Sequence, residues 1–433
     1  MNIYDSNRII DLVKKINYSP TTKIEEADCY VLNTCHIREK ATEKVYHEVG
    51  RVKKKFRNKK KPITIIAGCV AQAEGDILLK KEKYIDAVIG PQSYHEINKI
   101  ITSSEKDSIK KNFTEFNVIE KFDELNLIKN YNGKTSSFLT IQEGCDKFCK
   151  FCVVPYTRGP EHSRSFNEII SEAEQLVKNG SKELVLLGQN VNAYNFENKK
   201  LADLLFRLNE IKNLDRLRYT TSHPNDVTPY LIEAHAKCEK LMPFLHLPVQ
   251  SGSDKILKSM NRNHTIKEYL NKIDKFIECK PSIKFSSDFI IGYPGETEKD
   301  FLETVNLLKK IKFINSYSFV FSPRPGTPAS KMSIISEKIA KKRLAIFQDL
   351  SNEIKTKYRK SLINTEANVL FENKIKNESN KYFGRDEYFN SVIVSSHQNL
   401  IGKVKKIKID SCNQNTLFGY EINEFIKNKD CAA

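Results

Sequence analysis

Six short segments with the composition of strands recur between residues 136 and 360, and each ends in a loop of chemically unusual residues. We interpret the segments as strands with helices between them. Their ranges are 138–141, 184–187, 217–220, 244–247, 285–291 and 317–321. Strands that alternate with helices indicate an α/β fold with a parallel sheet. Six such units predict a (β/α)6 barrel that is partly open.

The six loops that follow these strands are rich in glycine, proline and polar side chains. They are Glu143-Gly144-Cys145, Gly188-Gln189-Asn190, Ser222-His223-Pro224, Pro248-Val249-Gln250-Ser251-Gly252-Ser253, Gly292-Tyr293-Pro294-Gly295-Glu296 and Ser322-Pro323-Arg324-Pro325-Gly326. Sites in β/α barrels lie at the carboxyl face of the strands. We therefore expect all six loops to converge on one site.

The first loop continues into three cysteines, Cys145, Cys149 and Cys152, with Phe151 directly before the last. Thiolates bind iron–sulfur clusters, and four of them complete the shell of a [4Fe-4S] cluster. Three in one loop leave the fourth iron open to a small ligand. The alternatives are a zinc loop and a closed ferredoxin-type cluster, but zinc sites pair C-x2-C with a second pair, and plant-type ferredoxins use C-x4-C-x2-C. The spacing therefore favours an enzyme that cleaves S-adenosylmethionine reductively.

The first hundred residues predict an open parallel sheet, with strands over 29–33, 63–67 and 87–89 and helices over 5–15 and 38–56. Ligands of such sheets bind beyond the carboxyl ends of the strands. Cys35 follows the first strand and Cys69 the second, so we expect both thiols at one edge. Gly68 is expected to let the backbone approach a bulky ligand.

The order of elements in this region predicts a missing piece. The chain opens directly into a helix, whereas such folds begin with a strand. We expect a first strand, with whatever its carboxyl end carries, to be absent from the chain as written. Residues 102–135 are polar and weakly periodic, and we interpret them as a linker or peripheral insertion.

The C-terminal region predicts a small β-barrel of the oligonucleotide-binding type. Four alternating segments with turns between them cover 367–371, 388–394, 400–409 and 416–422. Acidic and basic residues nearly balance there, so contact with RNA would require a local stripe. The candidate stripe is Lys403, Lys405, Lys406 and Lys408.

The net charge of +17 favours a polyanionic partner, although a Lys-rich coding bias is the alternative. Residues 51–61 hold eight basic residues, which indicate either a solvated helix end or a contact with nucleic-acid phosphates. Ten cysteines in a chain without an export signal point to metal or redox chemistry. No apolar run approaches the ~20 residues that a membrane helix needs. Cys238, Cys279, Cys412 and Cys431 lack ligand spacing and are interpreted as incidental.

Several motifs together resemble those of the bacterial tRNA methylthiotransferases of the MiaB type, which belong to the radical S-adenosylmethionine enzymes. They are Leu32-Asn33-Thr34-Cys35-His36-Ile37-Arg38-Glu39-Lys40-Ala41, Gly68-Cys69-Val70-Ala71-Gln72, the cysteine loop through Val153-Val154-Pro155-Tyr156-Thr157-Arg158-Gly159, Leu187-Gly188-Gln189-Asn190-Val191-Asn192-Ala193-Tyr194, Ser222-His223-Pro224, His246-Leu247-Pro248-Val249-Gln250-Ser251-Gly252-Ser253 and Ser322-Pro323-Arg324-Pro325-Gly326-Thr327-Pro328. The resemblance covers nearly the whole chain in one order. It implies transfer of a methylthio group to carbon 2 of an isopentenylated adenosine beside the tRNA anticodon.

The resemblance also implies three domains and two [4Fe-4S] clusters with S-adenosylmethionine. The domains would be a methylthiotransferase N-terminal domain over 1–105, a radical barrel over 131–361 and an RNA-binding TRAM domain over 364–428. Cys145, Cys149 and Cys152 would hold the radical cluster. Cys35 and Cys69 match two of three ligands of an auxiliary cluster, whose third would precede Met1. Cys29 is a candidate substitute, although it fits better as a small buried hydrophobe.

Further roles follow from the resemblance, each with a structural alternative. Phe151 would border the adenine or pack the loop. Gly188, Gln189 and Asn190 would meet the methionine end of the cofactor or cap a strand. Gly292 and Glu296, in the segment 288–296, would lie on the adenine side or form a buried strand and turn. His223 would contact substrate or satisfy the core, and Arg158 and Arg324 would contact phosphate.

The implied partners are tRNA carrying isopentenyladenosine and an electron donor such as flavodoxin or ferredoxin. A cytoplasmic monomer without membrane contact is expected. Alternative targets for the same chemistry are threonylcarbamoyladenosine in tRNA and a ribosomal-protein aspartate. A non-catalytic RNA-binding protein is the alternative from a different class.

Overall fold

A computed structural model of the chain describes residues 2–35, 41–104, 112–115, 134–378 and 380–422. Within those ranges, no helix combines the length and the apolar character that crossing a bilayer requires. The described residues form a parallel sheet with helices, an arc of six β/α units and a closed β-barrel, in that order. The predicted α/β fold class is confirmed.

The N-terminal sheet is parallel, with the strand order β1-β2-β3-β4. Its strands are β1 (Cys29–Thr34), β2 (Ile63–Gly68), β3 (Ala87–Ile89) and β4 (Asn112–Phe113). Its helices are α1 (Asn2–Lys14), α2 (Ala41–Lys55), α3 (Cys69–Lys81) and α4 (Ile97–Ser104). Helices α1 and α4 pack on one face of the sheet, and α2 and α3 pack on the other. Strand β4 falls in the segment that was interpreted as a linker, most of which lies outside the described residues.

Six parallel strands form the central arc in two triplets, β11-β8-β5 and β12-β13-β14, and a bridge between Leu217 and Leu241 joins the triplets. The strands are β5 (Ser136–Thr140), β8 (Glu183–Leu187), β11 (Arg216–Tyr219), β12 (Phe244–His246), β13 (Lys284–Ile291) and β14 (Asn315–Val320). Short hairpins add β6 (Gln142–Glu143), β7 (His162–Ser163), β9 (Asn195–Phe196) and β10 (Lys199–Lys200). As far as the structure describes the chain, β14 and β5 do not pair, so the predicted opening of the barrel is confirmed.

Helices accompany the strands of this arc, and most of them pack on its outer side. They are α5 (Val154–Arg158), α6 (Phe166–Lys178), α7 (Leu201–Asn209), α8 (Pro229–Lys237), α9 (Asp254–Ser259), α10 (Ile266–Cys279), α11 (Glu298–Ile311) and α12 (Glu337–Ser361). Alternate residues of each strand point outward, so Leu184 and Leu186 of β8 join the core beneath the helices. Val185 and Leu187 point into the barrel, where they pack against Tyr4 of α1. The N-terminal helix therefore lies over the inner side of the arc.

The C-terminal strands close into a barrel with the order β15-β16-β17-β19-β18. They are β15 (Glu366–Lys374), β16 (Lys381–Arg385), β17 (Ser391–Ser395), β18 (Val404–Cys412) and β19 (Thr416–Glu421). Strand β16 was not predicted from the sequence. A glycine inside a strand weakens the strand signal, yet Gly384 is needed here because a Cβ would collide with the carbonyl of Leu370 on β15.

Two buried arginines of β11 attach this barrel to the central arc. Arg216 donates to the backbone carbonyls of Arg385 and Asn368 at 2.8 and 2.7 Å. Arg218 donates to the carbonyls of Glu387 and Asp386, and its Nε pairs with the buried carboxylate of Glu183 at 2.7 Å. Each guanidinium thus uses its fixed fork of donors to hold two carbonyls at once.

We expect Arg218→Met to lower the free energy of unfolding of the full chain by about 3–5 kcal/mol, because the carboxylate of Glu183 would stay buried without its cation. Arg207→Met is the matched control. The Arg207–Glu174 ion pair lies at the surface of the central arc, to which Arg218 also belongs, and it should contribute less than about 1 kcal/mol. Denaturant titration followed by circular dichroism measures both. Equal losses in the two variants would contradict the importance of burial at β11.

Candidate metal centre and active site

The three cysteines of the predicted cluster loop lie at the carboxyl end of β5, on a backbone that is held from both sides. Cys145 N donates to the carbonyl of Gly159 at 3.2 Å, and Cys152 N donates to the carbonyl of Cys149 at 2.9 Å. Gly144 has φ +73°, and a Cβ on this residue would overlap the carbonyl of Pro160. The sharp turn before Cys145 therefore depends on glycine.

The thiols of this loop lie in a desolvated environment with a cation nearby. Burial raises the pKa of Cys145 to about 11 and that of Cys152 to about 12, and the neighbouring thiols add to both increases. Cys149 is buried, and Arg262 Nη1 lies 3.6 Å from its sulfur as a donor. This contact places the guanidinium of Arg262 beside one of the three candidate ligands.

The chemistry of these residues suits an iron–sulfur cluster. All three cysteines are free thiols, and soft sulfur donors are the usual ligands of such clusters. Across the described ranges, no three His, Cys, Asp or Glu side chains are already arranged to hold one metal ion. The choice of a cluster over zinc stays a prediction.

Gln142, which the sequence analysis did not select, organises the turn into the loop. Its Nε2 donates to the carbonyls of Glu143 and Gly144, and its Oε1 accepts from the amides of Gln189 and Asn190. The side chain is fully buried, so these four hydrogen bonds replace water entirely. Gln142 thereby joins the predicted cysteine loop to the Gly188-Gln189-Asn190 loop. No local sequence signal identifies this role, because it depends on how the two loops meet in the fold.

The Gly188-Gln189-Asn190 loop contacts the cysteine loop directly. Gln189 Oε1 accepts from the amide of Gly144 at 2.7 Å, and a Cβ on Gly188 would collide with Gln142. Asn190 Nδ2 donates to Asp226, whose other oxygen pairs with Lys147 of the cysteine loop at 2.7 Å. A loop that only caps a strand would make the same hydrogen bonds. Contact of this loop with the methionine end of the cofactor therefore stays a prediction.

Several buried polar atoms at the barrel mouth lack partners in the described part of the chain, which is a sign of space for a polar ligand. These atoms are Asn190 Oδ1, Ser222 Oγ, His223 Nε2 and His264 Nε2. Every one of these residues is less than 9% exposed. S-adenosylmethionine, with amino, carboxylate and ribose groups, has the chemistry to satisfy such atoms.

Only one ring nitrogen of His223 is hydrogen-bonded within the fold. Its Nδ1 accepts from the amide of Asn225 at 3.2 Å, while its Nε2 is one of the unpartnered atoms described above. Burial, with Arg262 and His264 nearby, lowers the pKa of His223 well below its usual range. The imidazole is therefore neutral at physiological pH and offers one nitrogen to the site. Contact with substrate stays a prediction.

Phe151 and the turn after β13 form an apolar wall beside the loop. Phe151 packs against a cluster that includes Tyr293 and Phe321. Contact of Phe151 with an adenine stays a prediction, since this packing also satisfies the structural alternative.

The carboxylate of Glu296 in this turn is almost fully buried. It accepts from the amide of Gly292 and pairs with Arg343 of α12 at 2.8 Å. Burial raises the pKa of Glu296 even with Arg343 beside it. Glu296 therefore holds the turn. Contact of Gly292 and Glu296 with the cofactor stays a prediction.

The structure places the predicted cysteine pair of the first domain at one sheet edge. Thr34 of β1 and Gly68 of β2 are partners in register, and Cys35 and Cys69 are the next residues of each chain segment. Gly68 has φ +92°, and a Cβ there would collide with the carbonyl of Thr34. The predicted approach of its backbone to a bulky ligand stays a prediction. Helix α3, which begins at Cys69, packs against α5, which follows Cys152. The two cysteine sets therefore lie in adjacent elements.

Cys29 is unsuitable as a substitute ligand at this edge. It begins β1, so the strand length separates it from Cys35 by about 20 Å. It packs against the apolar cluster on the α1 side of the sheet. This location supports the alternative interpretation of a small hydrophobe.

The predicted phosphate contacts have different outcomes. Arg158 is only 3% exposed and pairs with Asp5, so the prediction that it binds phosphate is wrong. Arg324 is partly exposed and donates to Ser322, and its role stays a prediction.

The two basic runs differ in how far local acids neutralise them. Four of the basic residues in 51–61 have acidic partners, which supports the solvated helix end; they are Arg51, Lys53, Lys55 and Lys61. In the C-terminal stripe, Lys406 pairs with Glu366 across the exposed side of β18. Lys408 lies opposite Tyr420, which is 55% exposed. Contact of this stripe with RNA stays a prediction.

We expect Gln142→Met to lower S-adenosylmethionine cleavage at least about tenfold and to reduce iron per chain, since four buried hydrogen bonds of about 1 kcal/mol each shape the loop. Methionine has nearly the same shape without the polar atoms. Gln398→Met, at an exposed position, is the control. Anaerobic reconstitution followed by iron analysis and chromatography of 5′-deoxyadenosine measures both effects. Wild-type iron content in Gln142→Met would contradict the organising role.

Comparisons with known protein families agree with this arrangement. A model of the radical SAM superfamily matches residues 139–308, which include the cysteine loop. A model described as uncharacterized protein family UPF0004 matches residues 1–90, which include Cys35 and Cys69.

Curated relatives are similar over nearly the whole chain. A protein of Pelagibacter ubique (strain HTCC1062) named tRNA-2-methylthio-N(6)-dimethylallyladenosine synthase is 58% identical, over 99% of this chain and 97% of its own length. Proteins with the same name from Wolbachia pipientis subsp. Culex pipiens (strain wPip) and Rickettsia akari (strain Hartford) are each 46% identical over 97% of this chain, covering 97% and 96% of their own lengths.

Two solved structures share the fold at 11% sequence identity. The radical S-adenosylmethionine methyltransferase TsrM from Kitasatospora setae superposes with a TM-score of 0.55, covering 76% of this chain and 74% of its own. The cobalamin-dependent S-adenosylmethionine radical enzyme OxsB gives 0.52, covering 82% of this chain and 53% of its own.

Proposed function

This chain belongs to the family of the tRNA-2-methylthio-N(6)-dimethylallyladenosine synthases, and we propose that it transfers a methylthio group to carbon 2 of isopentenyladenosine beside the tRNA anticodon. The observation that carries the proposal is 58% identity along 99% of the chain. The three free thiols at the mouth of the six-stranded arc support it.

Cys145, Cys149 and Cys152 would hold a [4Fe-4S] cluster, and the unpartnered atoms at the barrel mouth would receive S-adenosylmethionine. Together these groups supply one-electron chemistry that activates a carbon–hydrogen bond too weakly acidic for any side-chain base. Arg262 would hold the sulfur of Cys149 in place through its hydrogen bond. The apolar wall of Phe151, Tyr293 and Phe321 excludes water from one side of the loop.

Cys35 and Cys69 would hold an auxiliary [4Fe-4S] cluster that supplies sulfur. The strand register that brings them together supports this assignment. So does the packing of α3 against α5, because sulfur must be delivered close to the carbon that reacts.

The domains and the remaining partners follow from the same family. There would be a sulfur-supplying domain over 1–105, a radical domain over 131–361 and an RNA-binding (TRAM) domain over 364–428. The closed five-stranded barrel and the net charge of +17 support a role in binding tRNA. A flavodoxin or ferredoxin would supply electrons to the enzyme, which would act as a cytoplasmic monomer.

Mass spectrometry of tRNA nucleosides tests the proposal. A strain that lacks this chain should lose methylthio-isopentenyladenosine, and the wild-type gene, but not the Cys149→Ala variant, should restore it. An unchanged level in the deletion strain would overturn the proposal. Loss of methylthio-threonylcarbamoyladenosine instead would assign the alternative target.

A further inference from the structure

Arg158 is a buried cation between the two parts of the molecule that carry the cysteines. It is the last residue of α5, six positions after Cys152. Its Nη2 donates to Asp5 Oδ2 of α1 at 2.8 Å, and its Nη1 lies 3.6 Å from Glu143 Oε1. One guanidinium thus pairs with a carboxylate of the N-terminal part and with a carboxylate two residues before Cys145.

The backbone of Arg158 is also bound by the N-terminal part of the molecule. Gln92, in the segment after β3, donates from its Nε2 to the carbonyl of Arg158 at 2.8 Å. Asp5, Glu143 and Gln92 have no exposed surface, and Arg158 has only 3%. No water competes for these contacts, so the geometry of the junction is set by the protein alone.

The charges of this junction depend on one another. Two buried carboxylates face one guanidinium. Removal of the cation would take from Asp5 and Glu143 the guanidinium that they share in the interior. The shared guanidinium therefore holds α1, α5 and the start of the cysteine loop together.

We infer that Arg158 is a positioning residue that fixes the distance between the Cys35–Cys69 edge and the Cys145–Cys152 loop. The inference rests on the proposed function, in which sulfur held at the first site must meet a carbon activated at the second. Cleavage of S-adenosylmethionine needs only the barrel. Transfer of the methylthio group needs both sites at the correct separation, so the two reactions should respond differently to a loosened junction.

The test compares Asp5→Asn, Arg158→Gln and the double variant in the full, anaerobically reconstituted chain with isopentenylated tRNA. Both single variants should raise the ratio of 5′-deoxyadenosine to methylthiolated nucleoside at least about tenfold, because misplacement by 1 Å is enough to cost far more in a transfer step. The double variant should change this ratio by less than about the product of the two single effects, as expected for contacting residues.

Asp11→Asn is the matched control. Asp11 is a carboxylate of the same helix, but its ion-pair partners Arg8 and Lys14 also belong to α1. The ratio should stay at the wild-type value in this variant. A ratio that is unchanged in Asp5→Asn and Arg158→Gln, or a parallel loss of both products, would overturn the inference.

A second readout uses the metal-free protein. Hydrogen–deuterium exchange should show faster exchange in α1 and α5 together in Arg158→Gln, and no such change in Asp11→Asn. Unchanged exchange in α1 would overturn the inference. A wild-type enzyme that makes 5′-deoxyadenosine but no methylthiolated nucleoside would instead overturn the proposed function, and the exchange experiment would still decide whether Arg158 joins the two parts.

Discussion

Replacing Cys149 with alanine is expected to abolish production of 5′-deoxyadenosine, with a loss of more than about 10³-fold, because a cluster that loses one of its three thiolates loses its place in the site. Cys149 is the buried cysteine of the three and receives the hydrogen bond from Arg262. Iron bound per chain should fall by about four atoms, the content of one [4Fe-4S] cluster. Anaerobic reconstitution, iron analysis and chromatography of the nucleoside measure these changes.

Cys279→Ala provides the control for this experiment. Cys279 is an exposed free thiol at the end of α10, outside the site. Its variant should retain wild-type iron and activity. Cleavage of S-adenosylmethionine at the wild-type rate by Cys149→Ala would remove the basis of the proposed chemistry.

Gly144→Ala is expected to lower cleavage of S-adenosylmethionine by at least about 100-fold, because a displaced cysteine loop no longer holds its reactants in place. Two independent reasons act at this position. The residue has φ +73°, which side chains of L-residues rarely adopt, and the added Cβ would overlap the carbonyl of Pro160. The loop would have to open between Gly144 and Pro160, which moves Cys145 away from the other thiols.

Gly180→Ala separates the effect of the positive φ from that of the collision with Pro160. Gly180 also has a positive φ, of +101°, but no atom lies within 4 Å of the place where its Cβ would be. This variant should lose stability by about 1–3 kcal/mol from backbone strain while keeping its iron and its activity. Equal activity in Gly144→Ala and Gly180→Ala would show that the contact with Pro160 is not essential to the loop.

Much of the fold was accessible from local patterns. The six predicted strands of the arc lie within two residues of the observed strand ends, because short runs rich in β-branched and aromatic residues with turn residues around them are a local signal. The same holds for β1, β2 and β3. This local signal did not identify strand β16. Gly384 is required there by the close approach of β15, and glycine has no strand propensity.

The candidate site was accessible only in part. The cysteine spacing is local, so Cys145, Cys149 and Cys152 could be named from the chain, and the outcome for Cys35 and Cys69 followed from the direction of parallel strands. Arg262 and Gln142 could not be assigned, because their partners are up to 113 positions away or depend on how two loops meet.

Arg158 shows most clearly what local sequence patterns could not predict. From its neighbours in the chain it could be interpreted as an exposed phosphate contact, yet 153 positions separate it from Asp5, the carboxylate that it pairs with. Periodicity, turn residues and ligand spacing are short-range properties, and they predicted the α/β class, the order of the three parts and the candidate cluster ligands. Whether a charged side chain faces water or a buried partner depends on elements that meet through packing, and that assignment required the folded molecule.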